Sequence, residues 1–242
     1  MAQYPQTWEW ESFTAEREWT LEGIPVLQAS IALPRPKDLT QRSARRIHRF
    51  YRLQCRAYLR YCERQLFPRA AAECRRSLEA SQPLPCCRAE LTYHVTCCRD
   101  GLWSLYTENR ERVGSVREVL RRGDTWDLRA GYPLSLASFF PRKENFRATL
   151  LALAEQEIRR QEAEGTARYH EKWRRQLRRA FNRENYYLTD GGIALFWQMH
   201  TLAPAAEGTP TFLLPWGEGN SLCPWGQEKA TSPKEGRCRD SV

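Results

Sequence analysis

The sequence predicts an α+β fold in which antiparallel strands are packed on one side by amphipathic helices. Segments rich in β-forming residues alternate with helical segments, in the loose order helix, strands, helices, strands. Asp190-Gly191-Gly192 stands between two β-rich runs, as the tight turn of a hairpin does. A hydrophobic fraction of 41% over 242 residues is enough to bury a sizeable core.

The N-terminal part of the chain contains one predicted strand. Residues 1–20 are assigned no element and are treated as an N-terminal extension. The strand covers residues 22–33 and is expected to stop at Pro34, because proline interrupts strand pairing. Asp38 or Thr40 then offers a side-chain oxygen that can cap a helix.

A long helix is predicted to follow and to reach about Gln65, with an interruption at Pro68 and a short continuation over 70–80. At 100° per residue, apolar and aromatic side chains gather on one side of this helix. This side is predicted to face the core, and it consists of Ile47, Phe50, Tyr51, Cys55, Tyr58, Tyr61, Cys62 and Leu66.

The opposite side of the same helix carries arginines in a stripe about a third of its circumference wide. Only Glu63 opposes them. Such a stripe can grip phosphates or an anionic lipid surface, or it can be a solvated surface neutralised by Glu residues from elsewhere in the fold. The stripe comprises Arg42, Arg45, Arg46, Arg49, Arg52, Arg56, Arg60 and Arg64, of which Arg45, Arg49, Arg52, Arg56 and Arg60 are the predicted binding residues.

The remaining elements are predicted from turn and capping residues. A helix is predicted over 146–164 and ends at Gly165. A second helix is predicted over about 169–182, and it also presents arginines, namely Arg174, Arg175, Arg178, Arg179 and Arg183. The glycines at 191 and 192 are expected to adopt positive φ in their turn. Predicted strands cover 88–98, 102–111 after a turn at 99–101, 124–128, the two runs within 185–197, and 209–216, and the segment 217–242 is predicted to be a flexible tail.

The net charge and the distribution of apolar residues indicate the class of partner and the location of the protein. The formal net charge of +9 favours an acidic partner such as nucleic acid, an anionic lipid surface or an acidic protein. The N-terminus lacks a basic start followed by an apolar run, and no stretch of 18 apolar residues occurs. The cytoplasm is therefore the expected location.

Groups that could carry chemistry are present but scattered, so no catalytic residue, metal or cofactor is predicted. Nine cysteines cannot all pair internally, and strand alternation sends Cys97 and Cys98 to opposite faces. Asp124 and Asp127 are separated in the same way. The histidines 48, 94, 170 and 200 are far apart along the chain, with 94 and 200 placed in strands. A cell-wall-related hydrolase with unrecognised residues stays an alternative.

Residues 88–216 resemble the C-terminal family of RsiV-type anti-sigma factors, a domain of unknown function, and residues 21–87 resemble its companion module. Together they are predicted to form one α+β domain, 21–216. The resemblance is carried by "DGGIALFW" from Asp190, "LAPAAEG" from Leu202, "FLLPW" from Phe212 and "GYPLSLASFF" from Gly131. The resemblance implies a scaffold built on Asp190, Gly191, Gly192, Phe196, Trp197, Pro204, Glu207 and Gly208.

The resemblance also implies a function, that of a non-enzymatic receptor domain outside the membrane. RsiV-type proteins bind lysozyme there, but animal-type lysozymes are strongly basic, and a net charge of +9 opposes that ligand. This chain further has His200 and Ala205 where the family often has aromatic residues. The predicted function is therefore a stand-alone binding module with a protein partner, and the alternative is nucleic-acid or anionic-surface binding through the Arg42–Arg64 face.

Overall fold

The fold is α+β, as predicted, in a computed structural model that describes residues 8–85, 87–141 and 145–217. Within these ranges, six strands form one sheet in the order β1-β2-β3-β4-β5-β6, and three form a second in the order β7-β8-β9. The strands are β1 Trp10–Leu21, β2 Ile24–Pro36, β3 Cys87–Arg99, β4 Leu102–Val113, β5 Val116–Asp127, β6 Tyr132–Pro133, β7 Tyr186–Thr189, β8 Gly192–Phe196 and β9 Thr211–Pro215, and the helices are α1 Arg42–Tyr61, α2 Phe67–Glu79, α3 Phe146–Glu164 and α4 Trp173–Arg179.

The chain divides into two compact units. Of the described residues, 8–94 and 107–120 belong to the N-terminal unit, and 95–106 and 121–217 belong to the C-terminal unit. Strands β3, β4 and β5 contribute residues to both units. The proposed family modules 21–87 and 88–216 stay a prediction.

A long antiparallel hairpin opens the N-terminal unit. Its strand β1 occupies most of the segment treated as an extension in the sequence, and it pairs with β2 from Trp10↔Pro36 to Leu21↔Ile24. Glu22 and Gly23 both have positive φ, as a type I′ turn requires. The expected end of β2 at Pro34 is wrong. Strand β3 pairs with β2 only over residues 27–31, so the prolines lie where β2 has a single strand neighbour.

The pairing of β2 with β3 is parallel, whereas the sequence predicted antiparallel strands throughout. A parallel neighbour requires a long crossover connection, and α1 and α2 supply it. Both helices pack against β2. The residues of β2 that are buried at every second position are Leu27, Ala29, Ile31 and Leu33, while Gln28 and Ser30 between them are exposed.

Helix α1 begins one residue after Gln41, which makes no side-chain cap. The predicted caps are wrong, because Asp38 accepts hydrogen bonds from the backbone N–H and the hydroxyl of Thr40, both at 2.8 Å. Pro68 does not interrupt the helical run either. A π-helical turn over Cys62–Leu66 leads directly into α2, and the N–H of Phe67 bonds to the carbonyl of Cys62. Pro68 thus lies in the first turn of α2, where a missing N–H costs little.

Tight turns connect the three long strands. Asp100 and Gly101 both have positive φ between β3 and β4, which confirms the predicted turn at 99–101. Gly114 has φ +58 at the first position of the two-residue turn between β4 and β5, as a type II′ turn needs. Strand β5 is longer than the predicted 124–128, because it begins at Val116.

In the C-terminal unit, α3 and α4 pack on the second sheet. Helix α3 has the predicted bounds and ends at Gly165 with φ +67. Helix α4 is shorter than the predicted 169–182, because the N–H of His170 bonds to Leu202 in a loop and Asn182 begins a turn. Alternation along β8 divides its buried side chains between two clusters. Ile193, Leu195 and Trp197 lie among the helices, while Ala194 and Phe196 contact Tyr187 and Tyr106.

Candidate anion-binding surface

The arginine face of α1 is open to solvent. Arg49, Arg52, Arg56 and Arg60 are all exposed, and they make no hydrogen bond or ion pair with any residue in the described ranges. From Arg42 to Arg64 the face extends over about 33 Å at 1.5 Å per residue. Four of the five predicted binding residues therefore present guanidinium groups that can accept an anionic partner.

The fifth predicted residue, Arg45, also has a structural role. Its Nη1 donates hydrogen bonds to the carbonyl oxygens of Thr40 at 2.8 Å and Leu39 at 3.2 Å. These bonds tie the loop before α1 to the first turn of the helix. Arg45 is exposed nonetheless, so its remaining donors face solvent.

One acidic residue lies on the helix at the end of this face. Glu63 accepts from Arg17 of β1 at 3.4 Å, and about half of each side chain is exposed. An exposed pair of this kind contributes about 0–1 kcal/mol. Glu63 is thus engaged by an arginine from outside the stripe.

His48 lies on the flank of α1. Burial lowers its pKa, and the positive charges of Arg35 and Arg52 lower it further, while Glu11 acts in the opposite direction. Its ring makes an edge-on contact with Phe13 at 6.0 Å between centroids. His48 is consequently held in its neutral form beside a basic face.

The buried side of α1 is fixed by a polar chain in addition to its apolar contacts. Tyr58 donates to the side-chain oxygen of Asn109, whose amide donates to Glu111. Tyr61 also donates to Glu111, at 3.0 Å. Burial raises the pKa of Tyr58 and of Tyr61 and raises the pKa of Cys62 to about 12. The two tyrosines stay protonated and donate these hydrogen bonds, which fixes the rotation of α1 and hence the direction of its arginine face.

A second basic surface occurs on α4 in the C-terminal unit. Glu155 of α3 lies 2.6 Å from Arg159, 3.6 Å from Arg178 and 3.8 Å from Arg174. The single carboxylate of Glu155 therefore forms ion pairs with three guanidinium groups. The next arginines along α4, at 175 and 179, are exposed and have no side-chain hydrogen bond or ion pair in the described part of the chain. Arg183 lies beyond the helix and pairs with Glu184 at 3.7 Å.

The hairpin turn predicted around Asp190 is present between β7 and β8. The expectation of positive φ at Gly191 and Gly192 is wrong, since neither has it. Gly192 is required for a different reason. A Cβ atom there would lie 2.1 Å from the carbonyl oxygen of Leu214 on β9, whereas a Cβ on Gly191 would meet nothing closer than 3.8 Å. Asp190 is exposed, and its carboxylate accepts a hydrogen bond from the buried thiol of Cys97.

The other proposed scaffold residues are divided between a strand and a loop. Phe196 and Trp197 are buried on opposite faces of the chain, as predicted, and the indole N–H of Trp197 donates to Leu177 of α4 at 3.2 Å. Pro204, Glu207 and Gly208 form an exit loop around a short 3₁₀ turn, and Gly208 has φ +71. The histidine at 200 was predicted in a strand, but it follows β8 in a turn with φ +67.

Sequence reasoning missed Arg121 and Gln198. The side-chain amide of Gln198 accepts from the backbone N–H of Arg121 at 2.9 Å and donates to its carbonyl at 2.6 Å. The guanidinium of Arg121 lies over the ring of Tyr106, 4.2 Å from its centroid. The β-branched residues Val116 and Val119 just before Arg121 are the local signal that could have indicated this strand.

The potential metal ligands and thiols are dispersed. Within residues 8–85, 87–141 and 145–217, no group of three or more His, Cys, Asp or Glu side chains is arranged to hold a metal ion. Cys55, Cys62, Cys74, Cys87, Cys97 and Cys98 are free thiols. Burial, followed by the charge of Asp190, raises the pKa of Cys97 to about 12. Cys86 and the predicted tail from residue 218 lie outside the described residues.

The fold agrees with the comparisons with known proteins. Residues 137–217 match the model of a family described as "Protein of unknown function (DUF3298)". No curated protein matches the chain. The matches do not extend to the anti-sigma-factor link, which stays a prediction.

Two solved structures of DUF3298 proteins share the fold. A family member from Bacteroides fragilis is similar with a TM-score of 0.62 and 17% identity, over 86% of this chain and 90% of that one. A Pseudomonas aeruginosa protein has a TM-score of 0.58 and 17% identity, over 90% and 96%. None of the helices in the described ranges combines the length and apolar composition needed to cross a bilayer.

Proposed function

We propose that this protein is a non-enzymatic binding module that holds a polyanionic partner on the arginine face of α1. The observation that carries the proposal is the set of exposed guanidinium groups at Arg49, Arg52, Arg56 and Arg60, which form no hydrogen bond or ion pair within the described ranges. In the alternative from sequence, a solvated surface neutralised by glutamates, ion pairs with these arginines are expected.

The chemistry of guanidinium favours phosphate groups as the anions. Its planar donors bind two oxygens at once, and it is more weakly hydrated than an ammonium group. The polar chain from Tyr58 to Glu111 fixes the helix beneath the arginines, so the helix loses little conformational freedom on binding. Nucleic acids and anionic lipid head groups both present phosphates in extended arrays.

The receptor role implied by the resemblance to RsiV-type anti-sigma factors belongs to the same proposal. A ligand of this surface carries negative charge, the opposite of an animal-type lysozyme. The net charge of +9 speeds the approach of such a ligand and slows that of a basic protein. We therefore expect lysozyme to bind weakly compared with phosphate-rich partners.

The test is a binding titration with labelled duplex DNA, labelled single-stranded RNA and phosphatidylserine vesicles, at about 0.15 M salt. The variant is Arg49→Gln with Arg52→Gln and Arg56→Gln. The control is Arg76→Gln with Arg159→Gln and Arg160→Gln, which removes the same charge from arginines that pair with glutamates. We expect the α1 variant to bind one of the three probes at least about tenfold more weakly than the control does. Equal losses in the two triple variants would mean that net charge alone drives binding and would refute the site.

A further inference from the structure

The outer edge of β5 is open over residues 116–120 in the N-terminal unit. In the six-stranded sheet its only neighbour beyond β4 is β6, and β6 pairs only with Trp126 and Asp127. Within the described ranges, no strand pairs with the edge before these residues. An edge strand presents a row of N–H and C=O groups that can add a further strand.

The direction of these backbone groups follows from the strand period. The N–H and C=O of Arg121 point away from β4, because both bond to the side chain of Gln198. Backbone groups alternate in direction along a strand. Those of Arg117 and Val119 therefore point to the same outer edge. The side-chain amide of Gln198 takes the place of a neighbouring strand at Arg121. Its two hydrogen bonds leave no free N–H or C=O at that position of the edge.

Side chains beside the open edge differ in chemistry between the two faces of the sheet. Val116 and Leu120 on one face are each 48% exposed, and the exposed Glu118 lies between them. On the other face, the two-residue turn after Val113 places Arg112 opposite Arg117. Both arginines are exposed, and neither has a hydrogen bond or ion pair with a described residue. A groove of mixed character adjoins this face between α2 and the β4–β5 turn. Its apolar lining is Pro68, Ala72, Val113 and Val116, and its polar lining is Arg69, Glu73, Arg76 and Ser115.

A second copy of the chain fits this edge poorly. An antiparallel self-pairing centred on residue 117 places Arg117 opposite Arg117, one centred on 118 places Glu118 opposite Glu118, and one centred on 119 places Arg117 opposite Arg121. Like charges directly opposite each other destabilise a strand pair. The charges of this edge therefore favour a foreign strand with carboxylates.

We propose that the edge of β5 over residues 116–120 docks an extended segment of another protein whose side chains alternate between apolar and acidic. The backbone of the segment pairs with Arg117 and Val119. Its apolar side chains cover Val116 and Leu120, and its carboxylates meet Arg112 and Arg117. This surface is separate in sequence from the arginine face of α1 and takes a different class of ligand.

The probe is a labelled peptide of about seven residues, the length of an ordinary strand, that alternates Val and Glu. A peptide of the same composition in blocks and a peptide that alternates Val and Lys serve as controls. The edge variant is Val119→Pro, which removes an outward N–H without touching the bonds to β4. Val119→Ala is its matched control, and thermal melting verifies that both variants fold. A second variant, Arg112→Glu with Arg117→Glu, keeps the edge and reverses its charge.

We expect the alternating Val-Glu peptide to bind and to slow hydrogen exchange at the amides of 117 and 119. Binding should fall by at least about tenfold in V119P and be kept in V119A, and the charge-reversed variant should prefer the Val-Lys peptide. Equal binding of the block peptide would overturn the proposal. So would amides at 117 and 119 that are already protected in the free monomer, because another part of the chain would then cover the edge. A wild-type dimer that V119P converts to a monomer would identify a second copy as the occupant and would likewise overturn it.

Discussion

Gly191 and Gly192 are neighbours in one turn, but their steric surroundings are different. A side chain at 192 would collide with the backbone of β9 at Leu214, which cannot move without disturbing the β8–β9 pairing. We expect Gly192→Ala to lower the free energy of unfolding by about 3 kcal/mol or more, as overpacking against backbone does. Gly191→Ala should change it by less than about 1 kcal/mol. Urea unfolding of both variants measures the difference, and equal effects would show that the turn conformation, not the close approach, selects glycine.

His48 gives the protein a dependence on pH below neutrality. Its pKa is lowered in the folded state by burial and by Arg35 and Arg52, so the unfolded chain binds a proton first as the pH falls. The unfolded state then binds more protons than the native state, and stability falls with pH from about 6.5 towards the lowered pKa. We expect the decrease in stability between about pH 7.5 and pH 5.5 to be smaller in His48→Gln. An NMR titration of the His48 ring with a midpoint above about 6.5 would contradict this explanation.

Individual residues could be predicted from the sequence when the pattern of one element determined their exposure. The arginines of α1 fall on the solvent side because Ile47, Tyr51 and Tyr58 occupy the core side, and a helical period is enough to separate them. The steric demand at Gly192 could not be predicted in this way. It arises from Leu214, which is distant in sequence, and no local pattern encodes that approach.

The side chain of Gln198, in the loop after β8, hydrogen-bonds to the backbone of β5 as a neighbouring strand would. Its amide satisfies the N–H and C=O of Arg121, so Gln198→Leu removes two hydrogen bonds at one position of β5. We expect a loss of about 1–3 kcal/mol in the free energy of unfolding and faster hydrogen exchange at the amide of Arg121. Thr211→Val is a suitable control, since Thr211 accepts from the guanidinium of Arg121 at 3.2 Å and donates to the carbonyl of Thr209 at 3.1 Å, and its loss leaves both bonds to the Arg121 backbone in place. Exchange at the Arg121 amide that stays slow in Q198L would contradict the role of Gln198.

The elements that the sequence predicted correctly have local determinants. Helix α3 has a regular apolar period and a glycine with positive φ at its end, and both bounds agree. The helical run through Pro68 was not predictable from proline alone, because the π turn at 62–66 changes the hydrogen-bond pattern before it. Strand β1 was missed for another reason. Its side chains are mostly exposed, and its partner β2 supplies the pairing.

In the described part of the molecule, two helices, α1 and α4, carry exposed basic surfaces. Arg49, Arg52, Arg56 and Arg60 of α1 form no ion pair within the described ranges, and Arg174 and Arg178 of α4 share Glu155. The net charge of +9 predicted an acidic partner, but only the structure distinguishes paired arginines such as Arg160 from the unpaired ones. This distinction defines the candidate surface and supplies its control.

The salt dependence of binding tests the central claim most directly. With the phosphate-rich probe that binds best, the slope of log K against log salt counts the phosphates that the protein neutralises. We expect the slope to decrease in magnitude by about 3 when Arg49, Arg52 and Arg56 become Gln, because each lost contact removes about one unit. The control with Arg76, Arg159 and Arg160 replaced should keep the wild-type slope. An unchanged slope in the α1 variant would mean that these arginines do not contact the partner, and the arginine face would then be a solvated surface.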